Sequence, residues 1–283
     1  MQTGKPLIQA GWLRAFLLFI AIIILNSLFY YVVYRKSDNI YEDKSFIQIP
    51  YIGSLTILQV IIIVSVAISF LTVIIFCKWI DRIPLKSLGF SLDSPSLVGV
   101  VLAPALLGCG TMVLYWTGHL KWIGWQVDIQ SVLPVIALML LVALSEELVF
   151  RGYILLNLIR SFNKWIALSL SSLGFACMHA GNPDISIAAF ANLIIAGMVL
   201  GSGYLYTKSL WFPILFHFAW NVFQGPVLGY QISGLHFSSI LQISVTGDDL
   251  ITGGTFGFEG SILSLLLLTF AFLLYLWRLK ISS

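Results

Sequence analysis

The sequence returns again and again to apolar runs of about twenty residues, and this restricts the chain to a bundle of membrane helices. Crossing about 30 Å of hydrocarbon takes roughly 20 residues of helix, because lipid offers no partner to a free backbone group. Eight such segments can be drawn, over residues 11–34, 51–80, 96–117, 131–158, 164–179, 184–206, 209–230 and 259–279. Composition closes the soluble alternative. Only 10% of the 283 residues are charged, 59% are apolar and the mean hydropathy is +0.97, whereas a soluble domain carries about 25% charge. The expected fold is therefore all-α, a polytopic membrane helix bundle of about eight transmembrane helices. Residues 1–283 form a single integral membrane domain with the lipid bilayer as its outer solvent. The first run is longer than a signal-peptide core and no small-residue cleavage site follows it, so it counts as a helix.

Lys and Arg positions set the expected orientation. With both termini cytoplasmic, Lys5, Arg14, Lys78, Arg82, Lys86, Arg160, Lys164, Lys208, Arg278 and Lys280 fall inside, while Arg35, Lys36, Lys44 and Lys121 fall outside. The longest outer segment, Gln224–Glu259, has no Lys or Arg and carries Asp248, Asp249 and Glu259. The net charge of +3 is small and unclustered, so it gives no footprint for nucleic acid. Cys77, Cys109 and Cys177 have no C-x-x-C spacing and read as small buried hydrophobes.

Ionisable residues at bilayer depth each cost about 2.5–3.5 kcal/mol on insertion scales and mark functional sites by default. The set is short: Glu146, Glu147 and Arg151 in the fourth segment, His179 ending the fifth, and His217 with Asn221 in the seventh. Glu146 and Glu147 are neighbours, about 100° apart in azimuth, so the two carboxylates cannot serve one point. Glu147 and Arg151 stand at i, i+4 with the acid first, the favoured order for a helical ion pair. That pairing leaves Glu146 free to face a cavity. His217 and Asn221 share one helix face at i, i+4, and either a shared task or an interhelical polar clamp explains them. At 1.5 Å per residue from the cytoplasmic ends, Glu146 and Asn221 lie about 20 Å deep, His179 about 22 Å and His217 about 14 Å. Residues from three helices thus reach a similar depth, which favours one shared site. Asn192 also lies at depth and reads as an interhelical hydrogen bond, while His119 and His236 fall in outer loops.

With these residues in order, the chain resembles the CAAX-protease-like, bacteriocin-processing (CPBP, or Abi) family of intramembrane glutamic endopeptidases. Three motifs carry the resemblance: E-E-x-x-x-R at Glu146, Glu147 and Arg151, F-x-x-x-H at Phe175 and His179, and H-x-x-x-N at His217 and Asn221. They occupy a motif-bearing core of about 131–225. Lys208–Ile214 is similar to the family's third motif region, and the glycine-rich run Thr252–Ser261 to a segment of bacterial members, without a role attached. The resemblance implies that Glu146 is the general base, assisted by His179, and that His217 and Asn221 stabilise the oxyanion. It also implies a peptide or membrane-protein substrate, no cofactor and a bacterial cytoplasmic membrane. Bacteriocin self-protection is the family's other association.

Other chemistries are weaker. Glu146, His179 and His217 have the composition of a two-His, one-carboxylate zinc site, but there is no H-E-x-x-H. There is no G-x-S-x-G either, and Ser145 points about 100° away from Glu146. Two further readings stand beside a peptidase: a non-catalytic peptide-binding or bacteriocin-immunity protein, and a proton-relaying transporter. Against the transporter, no inverted repeat is visible and no Gly/Pro break lies near the acids.

Overall fold

The computed structural model describes residues 4–34, 46–49, 53–92 and 94–281. Arg35, Lys36 and Lys44, which weighed in the charge comparison, lie outside the described residues. Among the described residues eight helices longer than one turn follow one another: α1 (Gly11–Tyr34), α2 (Ile57–Ile75), α3 (Val98–Trp116), α4 (Ile129–Glu147), α5 (Lys164–Met178), α6 (Ile187–Thr207), α7 (Trp211–Val222) and α8 (Ile262–Ile281). Wide i→i+5 π turns prolong α2 over Phe76–Asp81, α4 over Leu148–Leu155 and α7 over Phe223–Val227.

Six of these helices, with their extensions, are long and apolar enough to cross a membrane, which corrects the expectation of eight. The two short ones are α5, at 15 residues, and α7, at 12. Local chemistry stops both. After Met178 the chain turns through Ala180–Asn182, where Asn182 donates its N–H to the His179 carbonyl. After Val222 only the wide turn Phe223–Val227 follows, and Pro226 within it has no N–H to give to the ladder. The last helix also begins later than the sequence suggests, at Ile262 instead of residue 259, because Ser261 is extended and its hydroxyl caps the helix by accepting from the Ser264 N–H at 3.0 Å.

The starts follow from capping residues. Asp128 accepts from Gln130 and Ser131 N–H at the head of α4, Asn163 from Trp165 and Ile166 before α5, and Ser186 from Ala189 before α6. Thr56 and Gln59 form a reciprocal capping box at α2.

The connections gather at two ends of the bundle. At one end Leu7 donates to Ile80, Trp12 to the Ser161 hydroxyl and Leu210 to Gly89, which ties the N-terminal residues to the α2–α3, α4–α5 and α6–α7 connections. At the other end β3 (Leu120–Trp125) pairs antiparallel with β4 (Leu241–Val245), and a hairpin joins β1 (Phe46–Ile49) to β2 (Gly53–Thr56). The first end is locked by charge. Fully buried Asp81 takes Arg14 Nη1 at 2.8 Å, Arg160 Nη1 at 3.1 Å and the Tyr153 hydroxyl. Three ligands on one carboxylate tie α1, the end of α2 and the π segment of α4 together.

The core lies where α4 and its π segment meet α5, α6 and α7, with Leu148, Tyr153, Leu155, Leu168 and Phe175 buried. Many large apolar side chains point outward, among them Phe16, Ile24, Leu28, Leu71 and Leu266, as lipid contact requires. Cys77 is buried, but Cys109 and Cys177 are exposed, which corrects the reading of all three as buried. They lie on the outward sides of α3 and α5, where a small thiol is compatible with hydrocarbon.

Candidate active site

The site is built around a guanidinium with no access to solvent. Arg151, on the π segment, is 1% exposed and donates to Glu147 Oε1 at 2.9 Å and to the Gly197 carbonyl at 3.3 Å. Its carbon lies 4.5 Å from the centre of the Phe175 ring, a cation–π contact. Gly197 permits this approach. A Cβ there would stand 2.8 Å from the Ser172 Cα, so α5 and α6 pack at this level only around glycine. The wide turn leaves carbonyls to satisfy, and the Ser171 hydroxyl takes that of Phe150 at 2.9 Å.

Glu147 does more than pair with Arg151. Its Oε1 also accepts from His217 Nδ1 at 2.8 Å. The i, i+4 pair read from the sequence is therefore present, but it is two-thirds of a buried Arg–Glu–His chain that joins α4 to α7. A carboxylate held by Arg151 only accepts, so His217 Nδ1 carries the proton. His179 is fixed in the same sense: Nδ1 lies 2.8 Å from the Phe175 carbonyl, which also only accepts. Phe175 thus supplies a ring face to Arg151 and a carbonyl to His179. The two histidines present their Nε2 atoms to Glu146, whose Oε2 lies 3.7 Å from His179 Nε2 and 4.0 Å from His217 Nε2. That Oε2 is buried and has no hydrogen-bond partner among the described protein groups.

These groups line a cavity of about 310 Å³ inside the bundle. The structure brings Glu146, His179, His217 and Asn221 to its wall together, while Glu147 and Arg151 stand behind it. Asn221, one turn beyond His217, is buried there. Asn192 lines the cavity while donating to the Ser261 carbonyl at 2.8 Å. Ser145 donates to the Val66 carbonyl at 3.4 Å and does not face Glu146 as a nucleophile would. His119 and His236 are occupied elsewhere, with Thr117 and Gln231. Among the described residues no group of three or more His, Cys, Asp or Glu side chains is arranged to hold a metal.

Two walls of the cavity escaped the sequence reading. Asn26 and Tyr30 of α1, with Ser65 and Ser69 of α2, form a polar strip on helices that carry no motif. On another side the segment after α7 folds back and places Ser233 and Glu259 in the wall. Burial raises the Glu259 carboxyl above the ordinary range, opposed by two hydrogen bonds from Ser233 and by the nearby histidines His179 and His217. The glycine-rich run Thr252–Ser261 was the available signal, but nothing in its spacing shows that the loop returns inward.

Residues 128–223 match the family model described as type II CAAX prenyl endopeptidase Rce1-like. A CAAX protease-like domain is present there. It takes in α4 to α7 with all seven motif residues, and leaves outside it α1–α3, the segment after α7 and α8. No curated protein and no solved structure matches the chain.

The Arg–Glu–His chain generates a prediction. Glu147→Gln leaves Arg151 buried without its counter-charge and should cost about 3–5 kcal/mol of stability, read as a fall in thermal midpoint in detergent. Exchanging the pair, Glu147→Arg with Arg151→Glu, should recover part of that midpoint but no activity, because a guanidinium then faces His217 Nδ1. Full recovery of both would show that His217 does not depend on Glu147.

Proposed function

We propose that the protein is an intramembrane endopeptidase in which Glu146 activates water. The observation that carries this reading is the unpartnered Glu146 Oε2 facing two histidine Nε2 atoms, inside a cavity of the bundle. The motif resemblance and the family match support it. A water between Glu146 and His179 would give up a proton to Glu146 while its oxygen adds to the substrate carbonyl carbon. His179 Nε2, unprotonated in the neutral ring, accepts the water's other hydrogen and orients it. The resulting oxyanion accepts from the Asn221 amide and from His217 Nε2. The second donor requires a protonated His217, and the Glu147 carboxylate behind the ring balances that charge. Collapse breaks the C–N bond, and the proton on Glu146 passes to the departing amine. Partial desolvation suits Glu146 to this exchange, and each oriented oxyanion donor contributes about 2.7–4 kcal/mol at the transition state. None of these steps calls on a cofactor.

The substrate is a peptide or membrane-protein segment able to enter the bilayer. The enzyme sits in the bacterial cytoplasmic membrane with both termini cytoplasmic. The end of the bundle that gathers the N-terminal residues also carries Lys78, Arg82, Lys86, Arg160, Lys164 and Lys208, as a cytoplasmic face requires.

Two experiments test these readings. Glu146→Gln should lower turnover of a membrane peptide by at least about 10²–10⁴-fold with the thermal midpoint kept, and wild-type activity should survive exhaustive chelation. Activity that persists in the variant, or returns only with added zinc, would overturn the mechanism. For orientation, reporters fused to either terminus should be active only in the cytoplasm, and a periplasmic C-terminus would contradict it.

A further inference from the structure

The glycine-rich run Thr252–Ser261 is built with a care that a plain connection does not need. Gly257 has φ 104°, and a Cβ on it would lie 2.1 Å from the Gln231 carbonyl oxygen. That carbonyl also accepts from Gln224 Nε2 at 2.7 Å. The Gly234 N–H donates to the Phe256 carbonyl at 3.0 Å, and Asn192 holds the Ser261 carbonyl. Phe256 and Phe258 are buried on either side. The loop is thus anchored to α6, to the end of α7 and to the 231–234 turn.

What this scaffold presents is one carboxylate. Glu259 Oε1 accepts from both the N–H and the hydroxyl of Ser233, so its position is fixed. Among the described residues no hydrogen-bond partner takes Oε2, and Glu259 lines the same cavity as Glu146. His179 and His217 are near enough to act on it electrostatically. The described lining of that cavity holds two carboxylates and no Lys or Arg, and Arg151 behind it is already spent on Glu147. From Gln224 to Trp277 the sequence contains no Lys or Arg at all. A half-buried carboxylate gains from a counter-charge, and among the described residues none forms an ion pair with this one, His179 and His217 acting on it only from a distance.

We propose that Glu259, clamped by Ser233, is a recognition site for a cation carried by the substrate: an ammonium or guanidinium group on the chain to be cut. The proposal rests on the peptidase reading and deepens it, since it gives Glu146 the reaction and Glu259 the substrate's register in the cavity. The cation has two sources, a basic side chain or the chain's free amino end. The two sites divide the labour of a single cavity.

The test uses the full-length protein in proteoliposomes and three versions of one short apolar peptide. One carries a central Lys and an acetylated amino end, one a central Gln and a free amino end, and one a central Gln and an acetylated end. Binding is measured on the Glu146→Gln background, where no peptide is consumed. One or other cationic peptide should bind at least about tenfold more tightly than the neutral one, and which one does names the source. Adding Glu259→Gln should bring that ratio to about one. Ser233→Ala, which keeps the carboxylate but frees it, should reduce the ratio in part, and it serves alone if the Glu259 variant does not fold. In the otherwise wild-type enzyme the preference should appear in KM and not in kcat. Equal binding of all three peptides, or a preference that survives both variants, would overturn the proposal. Cation-dependent binding with no cleavage by wild type would remove the peptidase reading and leave the cation site standing. Cleavage that needs Glu146 but shows no cation preference would do the reverse.

Discussion

Everything at the centre of this bundle depends on keeping one guanidinium charged where water cannot reach it. Arg151 is tolerated because Glu147, the Gly197 carbonyl and the Phe175 ring surround it. An uncompensated charge in this position would cost several kcal/mol. Those three partners lie on α4, α6 and α5, so satisfying the charge also fixes the packing of three helices. Glu147 then extends the chain to His217 on α7. The orientation of a site residue is thereby coupled to the stability of the fold, and removing either partner disturbs both.

A wide turn follows Glu147. A regular α-helix keeps consecutive residues about 100° apart, which already separates Glu146 from Glu147. Within the π segment Arg151 pairs with Glu147 while buried Phe150 and Tyr153 serve other neighbours: Phe150 packs on Phe175, and Tyr153 reaches Asp81. Such turns recur where side chains must be aimed in ways a regular helix does not allow. At the far end of the same segment, Tyr153 and Asp81 tie the cluster to the charged lock formed with Arg14 and Arg160. The π segment thus connects two buried charge networks, one at the site and one at an end of the bundle.

How much of this was legible in the sequence varies with its physical origin. The membrane bundle was, because hydrocarbon imposes length and composition on every span. The pair Glu147–Arg151 was, because i, i+4 geometry is local. The convergence of Glu146, His179, His217 and Asn221 on one cavity could be argued from depth alone, since depth is residue count along a helix. The bond from Glu147 to His217 could not, because it crosses from α4 to α7 and depends on how the two helices rotate about their axes. The fifth segment was drawn at nearly its true length, 164–179 against Lys164–Met178, but counted as a span although it is short; α7 was drawn too long because apolar residues continue past its end. The exposed thiols of Cys109 and Cys177 were misread because apolar patterning in lipid does not distinguish inside from outside. The return of Glu259 into the cavity was illegible for a further reason. It follows from a loop closed by glycines in positive φ and by backbone contacts distant in sequence.

The central claim is that Glu146 faces two imidazoles, each locked by a hydrogen bond at Nδ1, one to the Phe175 carbonyl and one to Glu147. The nitrogen-15 chemical shifts of the His179 and His217 side chains, measured on labelled protein in lipid, test this most directly. The account predicts a protonated Nδ1 in both rings, an unprotonated Nε2 in His179 when that ring is neutral, and a shift of His217 Nδ1 alone on Glu147→Gln. An Nε2-protonated tautomer of neutral His179, or a His217 signal indifferent to Glu147, would contradict it.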